Sequence, residues 1–366
     1  INLIVGKNNS GKSTVLECLR ILASKGNPAV LNEIVEEHDE QIMIQNRSKF
    51  EEDEFVSVYE GLFTDRKFSE DGKPIYIGTL SKNLFVEINR VFYEDTEEER
   101  KDEKGNVVLT KNRKIYEIAE ISDSSEFAQS IRILSHQNPD RPILIEYSDS
   151  PPFRRRTVYS SEAVKPTPIS YIPTQFLSMD LLATLWDRAV LTSYFDNVRK
   201  FLKIISENFE DIAFVKVNIP RRRVSNANNI ERTGMVKLTN LDGPIPLNGM
   251  GDGVLRILQL VLGIFPATNG FLLIDEFENG LHFSVQKQIW KLIFELSSEL
   301  NIQVFATTHS WDCIEAFSIA ANQSDEEAVL FRIGKSVLPN DKGKTIATIF
   351  DKNSLHNLTQ SDVELR

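Results

Sequence analysis

Ile1-Asn-Leu-Ile-Val-Gly6-Lys7-Asn8-Asn9-Ser10-Gly11-Lys12-Ser13-Thr14 opens the chain, and its reading decides the fold. Apolar, β-favouring residues lead into Gly6, and the spacing Gly6–x4–Gly11–Lys12–Ser13 is that of a P-loop. Glycines let such a loop turn so that successive backbone N–H groups face a phosphate chain. Gly6, Asn8, Asn9, Ser10, Gly11, Lys12, Ser13 and Thr14 are therefore the candidate nucleotide-binding set. Lys12 would neutralise the β/γ oxygens and the Ser13 hydroxyl would ligate Mg²⁺, which makes ATP and Mg²⁺ the expected cofactors. A helix is predicted over Ser13–Ala23, with its positive dipole end under the phosphates and Val15, Leu16, Leu19 and Leu22 turned inward.

At 366 residues the chain can hold one large domain or two modest ones. Hydrophobic residues at 41% and charged residues at 26% fit a globular protein. No run approaches the ~20 apolar residues needed to cross a bilayer, which argues against a membrane-spanning transporter. Cys18 and Cys313 are the only cysteines, which fits a reducing, cytoplasmic setting and offers no zinc or disulfide framework. The chain starts without Met inside the strand feeding the P-loop, so upstream residues are expected. A net charge of −11 opposes indiscriminate coating of nucleic acid. A local basic track stays open at Arg154-Arg155-Arg156 and Arg221-Arg222-Arg223, although triplets like these more often serve solvated loops or subunit salt bridges.

After the P-loop helix, the clusters Glu36–Glu40 and Glu51–Glu54 suggest a solvated helical face rather than a metal site. Residues 74–121 have the alternation and turn signals of a β-meander, with a charged hairpin tip at Glu97–Lys104 closed by Gly105-Asn106. Ile143–Tyr147 is a further strand candidate, and Pro166, Pro168 and Pro173 then mark a loop-rich crossing. From Met179 a period near 3.6 predicts two helices. Strand character returns at Ile212–Val217 and Met235–Leu238. The expected layout is an N-terminal core segment (1–72), a β-rich insertion (73–178), a helical lid with connecting strands (179–240) and a C-terminal core segment (241–366).

Phe271-Leu-Leu-Ile274-Asp275-Glu276 is four apolar residues ending in paired carboxylates. On a buried parallel strand, Asp275 falls at the C-terminal end, where Mg²⁺ sits in P-loop folds, and Glu276 is placed to polarise a water. An amphipathic helix (Val285–Leu300) and a second buried strand (Ile302–Thr307) complete a βαβ unit. That strand ends in Thr307-Thr308-His309-Ser310, where His309 can reach a γ-phosphate and Ser310 can cap the next helix. Asn248-Gly249-Met250-Gly251-Asp252-Gly253 before another helix is a second anion cradle. One nucleotide in one subunit does not need two cradles, but a dimer does.

The order of these motifs resembles an ABC-type ATPase head of the SMC/RecF/OLD group. Gly6–Ser13, Ile274-Asp-Glu-Phe-Glu-Asn-Gly-Leu-His282 and Ala306-Thr-Thr-His-Ser-Trp-Asp312 are most similar to AAA15-type, OLD-like ATPases, many of them bacterial and linked to phage defence or restriction. The resemblance implies an α/β P-loop NTPase with a mixed sheet, an inserted β-meander subdomain and a helical lid. It also implies an ATP-sandwich homodimer or higher homo-oligomer. Lys12, Ser13, Asp275, Glu276 and His309 would act in cis; the loop carrying Asn248, Gly249, Gly251 and Gly253 would act in trans, with His282 near the interface.

Three features depart from the pattern. Asn248 and Gly249 stand where a serine is usual, no glutamine loop is assignable, and residues 329–366 are too short for a Toprim nuclease and lack its carboxylates. The expected activity is slow ATP hydrolysis that switches a separately encoded protein effector, such as a nuclease or toxin, in anti-phage defence. A RecF-like ATPase of DNA repair or DNA-structure sensing, using the arginine triplets, is the alternative.

Overall fold

Asn2–Val5 forms β1, with Leu3, Ile4 and Val5 buried, and α1 (Lys12–Ala23) follows directly on the P-loop. A computed structural model describes all residues except 40–56, 102–106, 122–126, 147–156, 159–165, 193–194, 206–207, 217–231, 337, 339–343 and 361–366. Both arginine triplets, the acidic cluster at 51–54 and residues 102–106 of the expected hairpin tip lie outside the described residues, whereas Glu97–Lys101 of that tip are strand, paired antiparallel with Val107–Lys111. The chain divides within α1 into two compact units, one of Ile1–Leu16 with Thr167–Arg366 and the other of Glu17–Pro166.

In the second unit, α2 (Pro28–Glu37) begins with Pro28, which has no N–H to lose, and the Asn27 side chain caps it by accepting from Ala29 N. The acidic stretch is more than a solvated face, because Glu37 receives Arg20 at 2.6 Å and His38 meets Glu17 at 2.8 Å. The alternating segments form β2 (Ile75–Gly78), β3 (Phe85–Lys101), β4 (Val107–Tyr116), β5 (Ala128–Ser135), β6 (Ile143–Glu146) and β7 (Thr157–Val158). They pair antiparallel in the order β2-β3-β5-β6-β7, with β4 also on β3. Their inward residues Val86, Ile88, Ile131, Ile133 and Ile145 form one core with Leu31, Ile34 and Val35 of α2.

The first unit resumes at β8 (Ile169–Ile172), followed by α3 (Met179–Val190), α4 (Phe195–Ile205), β9 (Phe209–Lys216), β10 (Arg232–Leu238) and β11 (Ile245–Pro246). Then come α5 (Asp252–Ile264), β12 (Phe271–Ile274), α6 (Phe283–Glu299), β13 (Gln303–Thr308), α7 (Trp311–Asn322), β14 (Val329–Lys335), β15 (Thr345–Asp351) and α8 (Lys352–Gln360). The main sheet has the order β15-β14-β1-β13-β12-β8, parallel throughout except for β15. It is a mixed α/β sheet in which β13 lies between the P-loop strand and the Asp275 strand. Strands β9, β10 and β11 form a separate antiparallel sheet. Leu182, Trp186, Val198 and Phe201, the apolar stripes of α3 and α4, join the same core as α5, where every residue from Val254 to Ile264 is buried.

Strand β8 corrects the expectation of a loop between Pro168 and Pro173. Four residues bounded by prolines are too few to show alternation. Neither proline interrupts the ladder, because each lies just outside the strand and β8 is at the sheet edge. Pro168 O accepts from Phe271 N at 2.9 Å. Gly270 lets the chains approach this closely, since a Cβ there would lie 1.9 Å from Pro168 O. No helix among the described residues is long and apolar enough to cross a membrane.

Candidate functional site

Parallel pairing brings the ends of β1, β13, β12 and β8 side by side, and the loops leaving them carry the polar residues. Lys12, only 8% exposed, folds back across the P-loop and donates from Nζ to the carbonyl oxygens of Gly6 (2.9 Å) and Lys7 (3.1 Å). Ser10 Oγ is buried and has no hydrogen-bond partner, while Gly11 has φ +95° with open space where a Cβ would stand. Gly6 is tighter, because a Cβ there would lie 2.4 Å from Ile333 O of β14 and 2.6 Å from Ser10 Oγ. Gly6→Ala is therefore expected to destabilise the fold by about 1–3 kcal/mol through overpacking. The same substitution should weaken ATP binding at least ~10-fold by displacing the loop, a factor of ten corresponding to ~1.4 kcal/mol. Thermal melts and nucleotide titration check both.

Ser13 Oγ donates to the Asp275 carboxylate at 3.1–3.2 Å, which joins residues 262 positions apart. Thr307 Oγ1 donates to Asp275 Oδ1 at 2.6 Å, and Thr174 Oγ1 lies 3.4 Å from Oδ2. Glu276 has φ +45°, a left-handed conformation costly for a residue with a side chain and typical of sites where function holds strain. Two bonds hold it there. Its N–H donates to Thr307 Oγ1 at 2.8 Å, and its carbonyl accepts from Arg256 at 2.9 Å. His309 Nδ1 lies 3.8 Å from Glu276 Oε1 and 3.2 Å from Glu278 Oε1. Lys12, Ser13, Asp275, Glu276 and His309 thus all follow the C-terminal ends of the neighbouring parallel strands β1, β12 and β13.

The second glycine loop leads into α5. Leu247–Met250 is a 3-10 turn, Gly251 has φ +88°, and α5 begins at Asp252, so Gly253 lies in the first helical turn rather than before it. Asn248, Gly249 and Gly251 are exposed. Gly253 packs against the turn after Asp275, with Gly280 O 3.2 Å from where its Cβ would stand. Ser310 stands at the start of α7 but does not cap it with its side chain; its N–H donates instead to Thr308 Oγ1 at 3.0 Å. His282 caps α6 by accepting from Ser284 N at 3.4 Å.

Sequence reasoning missed Thr174, Thr307, Arg256 and Glu278. Arg256 left a trace as the lone charge in the apolar run Val254–Ile264. It is fully buried and donates to the carbonyls of Pro173 (2.6 Å), Asp275 (2.7 Å) and Glu276 (2.9 Å). Burial pushes its guanidinium down to about 10, with Asp275, then Glu278 and Glu276, pulling the other way.

The residues fit Mg²⁺ and a nucleoside triphosphate. A hydroxyl and a carboxylate give the hard oxygen donors Mg²⁺ prefers. An unpartnered buried hydroxyl, a lysine satisfied only by its own loop and a helix N-terminus suit a polyphosphate.

A family model described as "AAA domain, putative AbiEii toxin, Type IV TA system" matches residues 1–314. A Helicobacter pylori (strain ATCC 700392 / 26695) protein described as "ATP/GTP phosphatase" is 23% identical over 353 residues, covering 89% of this chain and 83% of that protein. Among solved structures, an SMC head bound to the C-winged helix domain of ScpA aligns with TM-score 0.38 and 13% identity, over 96% of this chain and 90% of that one. The SMC head domain from Thermotoga maritima aligns with TM-score 0.34 and 11% identity, over 96% and 89%. With a P-loop NTPase fold and a family match over most of its length, the chain belongs to the AAA-domain ATPase family carrying that AbiEii description.

Proposed function

We propose that this chain is a Mg²⁺-dependent ATPase that closes as a homodimer on ATP and thereby switches a separately encoded protein effector. The observation that carries it is Asp275, which gathers Ser13, Thr307 and Thr174 at the end of β12, beside Glu276. Lys12 exchanges its loop carbonyls for phosphate oxygens, and Ser13 and Asp275 hold Mg²⁺. When bound, Mg²⁺ supplies charge neutralisation of the phosphates. Glu276 orients a water and accepts its proton, and His309 contacts the γ-phosphate. The exposed residues Asn248, Gly249 and Gly251 before α5 suit a nucleotide held by a second copy, with Gly253 in the first helical turn behind them and His282 beside that interface.

The family's reference to a type IV toxin–antitoxin system supports an effector-control role in bacterial defence, and the phosphatase description of the relative supports nucleotide hydrolysis. The motif resemblance to the AAA15-type, OLD-like group supports the same setting. The test is the solution mass of the Glu276→Gln protein by light scattering, with and without ATP–Mg²⁺, after purification from its host. A doubling of mass on ATP, with a discrete protein partner bound or released, is expected. A monomer under both conditions would remove the dimer, and copurifying nucleic acid without protein would favour the DNA-sensing alternative.

A further inference from the structure

Glu278 is a third carboxylate after the Asp275-Glu276 pair, and the chemistry above gives it no task. Its side chain is 11% exposed, whereas those of Glu276 and His309 are 37% and 51% exposed. One oxygen, Oε1, accepts from the backbone N–H of His309 at 2.9 Å and faces Nδ1 of the same residue at 3.2 Å. The same oxygen thus takes the main-chain hydrogen bond of His309 and lies beside its ring. The other oxygen, Oε2, is buried with no hydrogen-bond partner, which is costly unless the carboxylate is needed. The buried Arg256 guanidinium supplies compensating charge nearby.

We propose that Glu278 is a positioning residue for His309, fixing the turn after β13 and orienting the ring so that Nδ1–H donates to Glu278 and Nε2 is offered to the nucleotide. Glu276, 3.8 Å from the same Nδ1, is too far to take this role in this state. The inference rests on the proposed role of His309, so its test must separate the two.

ATP turnover of Glu278→Ala, His309→Ala and the double variant forms the cycle. His309→Ala is expected to lose ~100-fold in kcat, and Glu278→Ala at least ~10-fold, with KM within about threefold, as for groups acting in the transition state. The double variant should be within about twofold of His309→Ala, because Glu278 has nothing left to orient. Glu278→Gln keeps an acceptor oxygen of the same shape; it should fall between wild type and Glu278→Ala, and it carries the cycle if the alanine variant does not fold. Multiplying losses, or a fully active Glu278→Ala, would overturn the inference while leaving His309 in place. A fully active His309→Ala would instead overturn the role of His309, and that of Glu278 with it.

Discussion

Glu276→Gln is expected to lower steady-state ATP hydrolysis by roughly 10²–10⁴-fold, the range for removing a positioned general base. ATP affinity should stay within about threefold, because phosphate contacts rest on Lys12 and the P-loop rather than on Glu276. The substitution is unusually clean here. The strained φ of +45° is held by Thr307 Oγ1 and by Arg256, and both bonds are to the backbone of Glu276. Glutamine keeps the shape and leaves those bonds intact, so the fold should melt as wild type does. Phosphate release and nucleotide titration measured side by side check it. A variant with more than a tenth of the wild-type rate would show that another group takes the proton.

The parts legible in the sequence were those with a local signal strong enough to survive without a partner. Gly6–Ser13 declares its backbone through glycine spacing, and the apolar Phe271–Ile274 and largely apolar Ile302–Thr307 were read as buried parallel strands, which the fold has at Phe271–Ile274 and Gln303–Thr308. Helix α6 was read two residues late, because the exposed Phe283 and the capping His282 carry no periodic signal. What stayed hidden were relations made by pairing. Thr174 matters because β8 lies next to β12, and β8 was masked by its flanking prolines. Thr307 was visible as a strand residue, but its hydroxyl acquires a role only when β13 lies between β1 and β12. Gly253 looked like loop because glycine is a poor helix former, yet it is tolerated in the first turn of α5, where Gly280 approaches closely.

Arg256→Met is expected to destabilise the protein by about 3 kcal/mol or more, since each buried group left without its partner costs roughly 1–3 kcal/mol. Three carbonyls lose their donor at once, those of Pro173, Asp275 and Glu276. They stand at the ends of β8 and β12, so the loss falls on the segments that hold Thr174, Asp275 and Glu276. Turnover should therefore fall further than the melting shift alone implies, with Glu276 freed from its strained conformation. Arg256→Lys should rescue little, because one ammonium cannot reproduce a planar fork to three carbonyls. The sign of the pH effect follows from a guanidinium whose folded value lies near 10, below its ordinary value. Folding disfavours its charged form at every pH below about 10, and that penalty is relieved only as pH climbs from there toward the ordinary guanidinium range. The stability difference between wild type and Arg256→Met should thus be flat between about pH 6 and 9, where the group stays charged in both states. Chemical denaturation across that range measures it. A destabilisation below about 0.5 kcal/mol, the level of an ordinary surface change, would show that water or neighbouring groups can satisfy these carbonyls without the arginine.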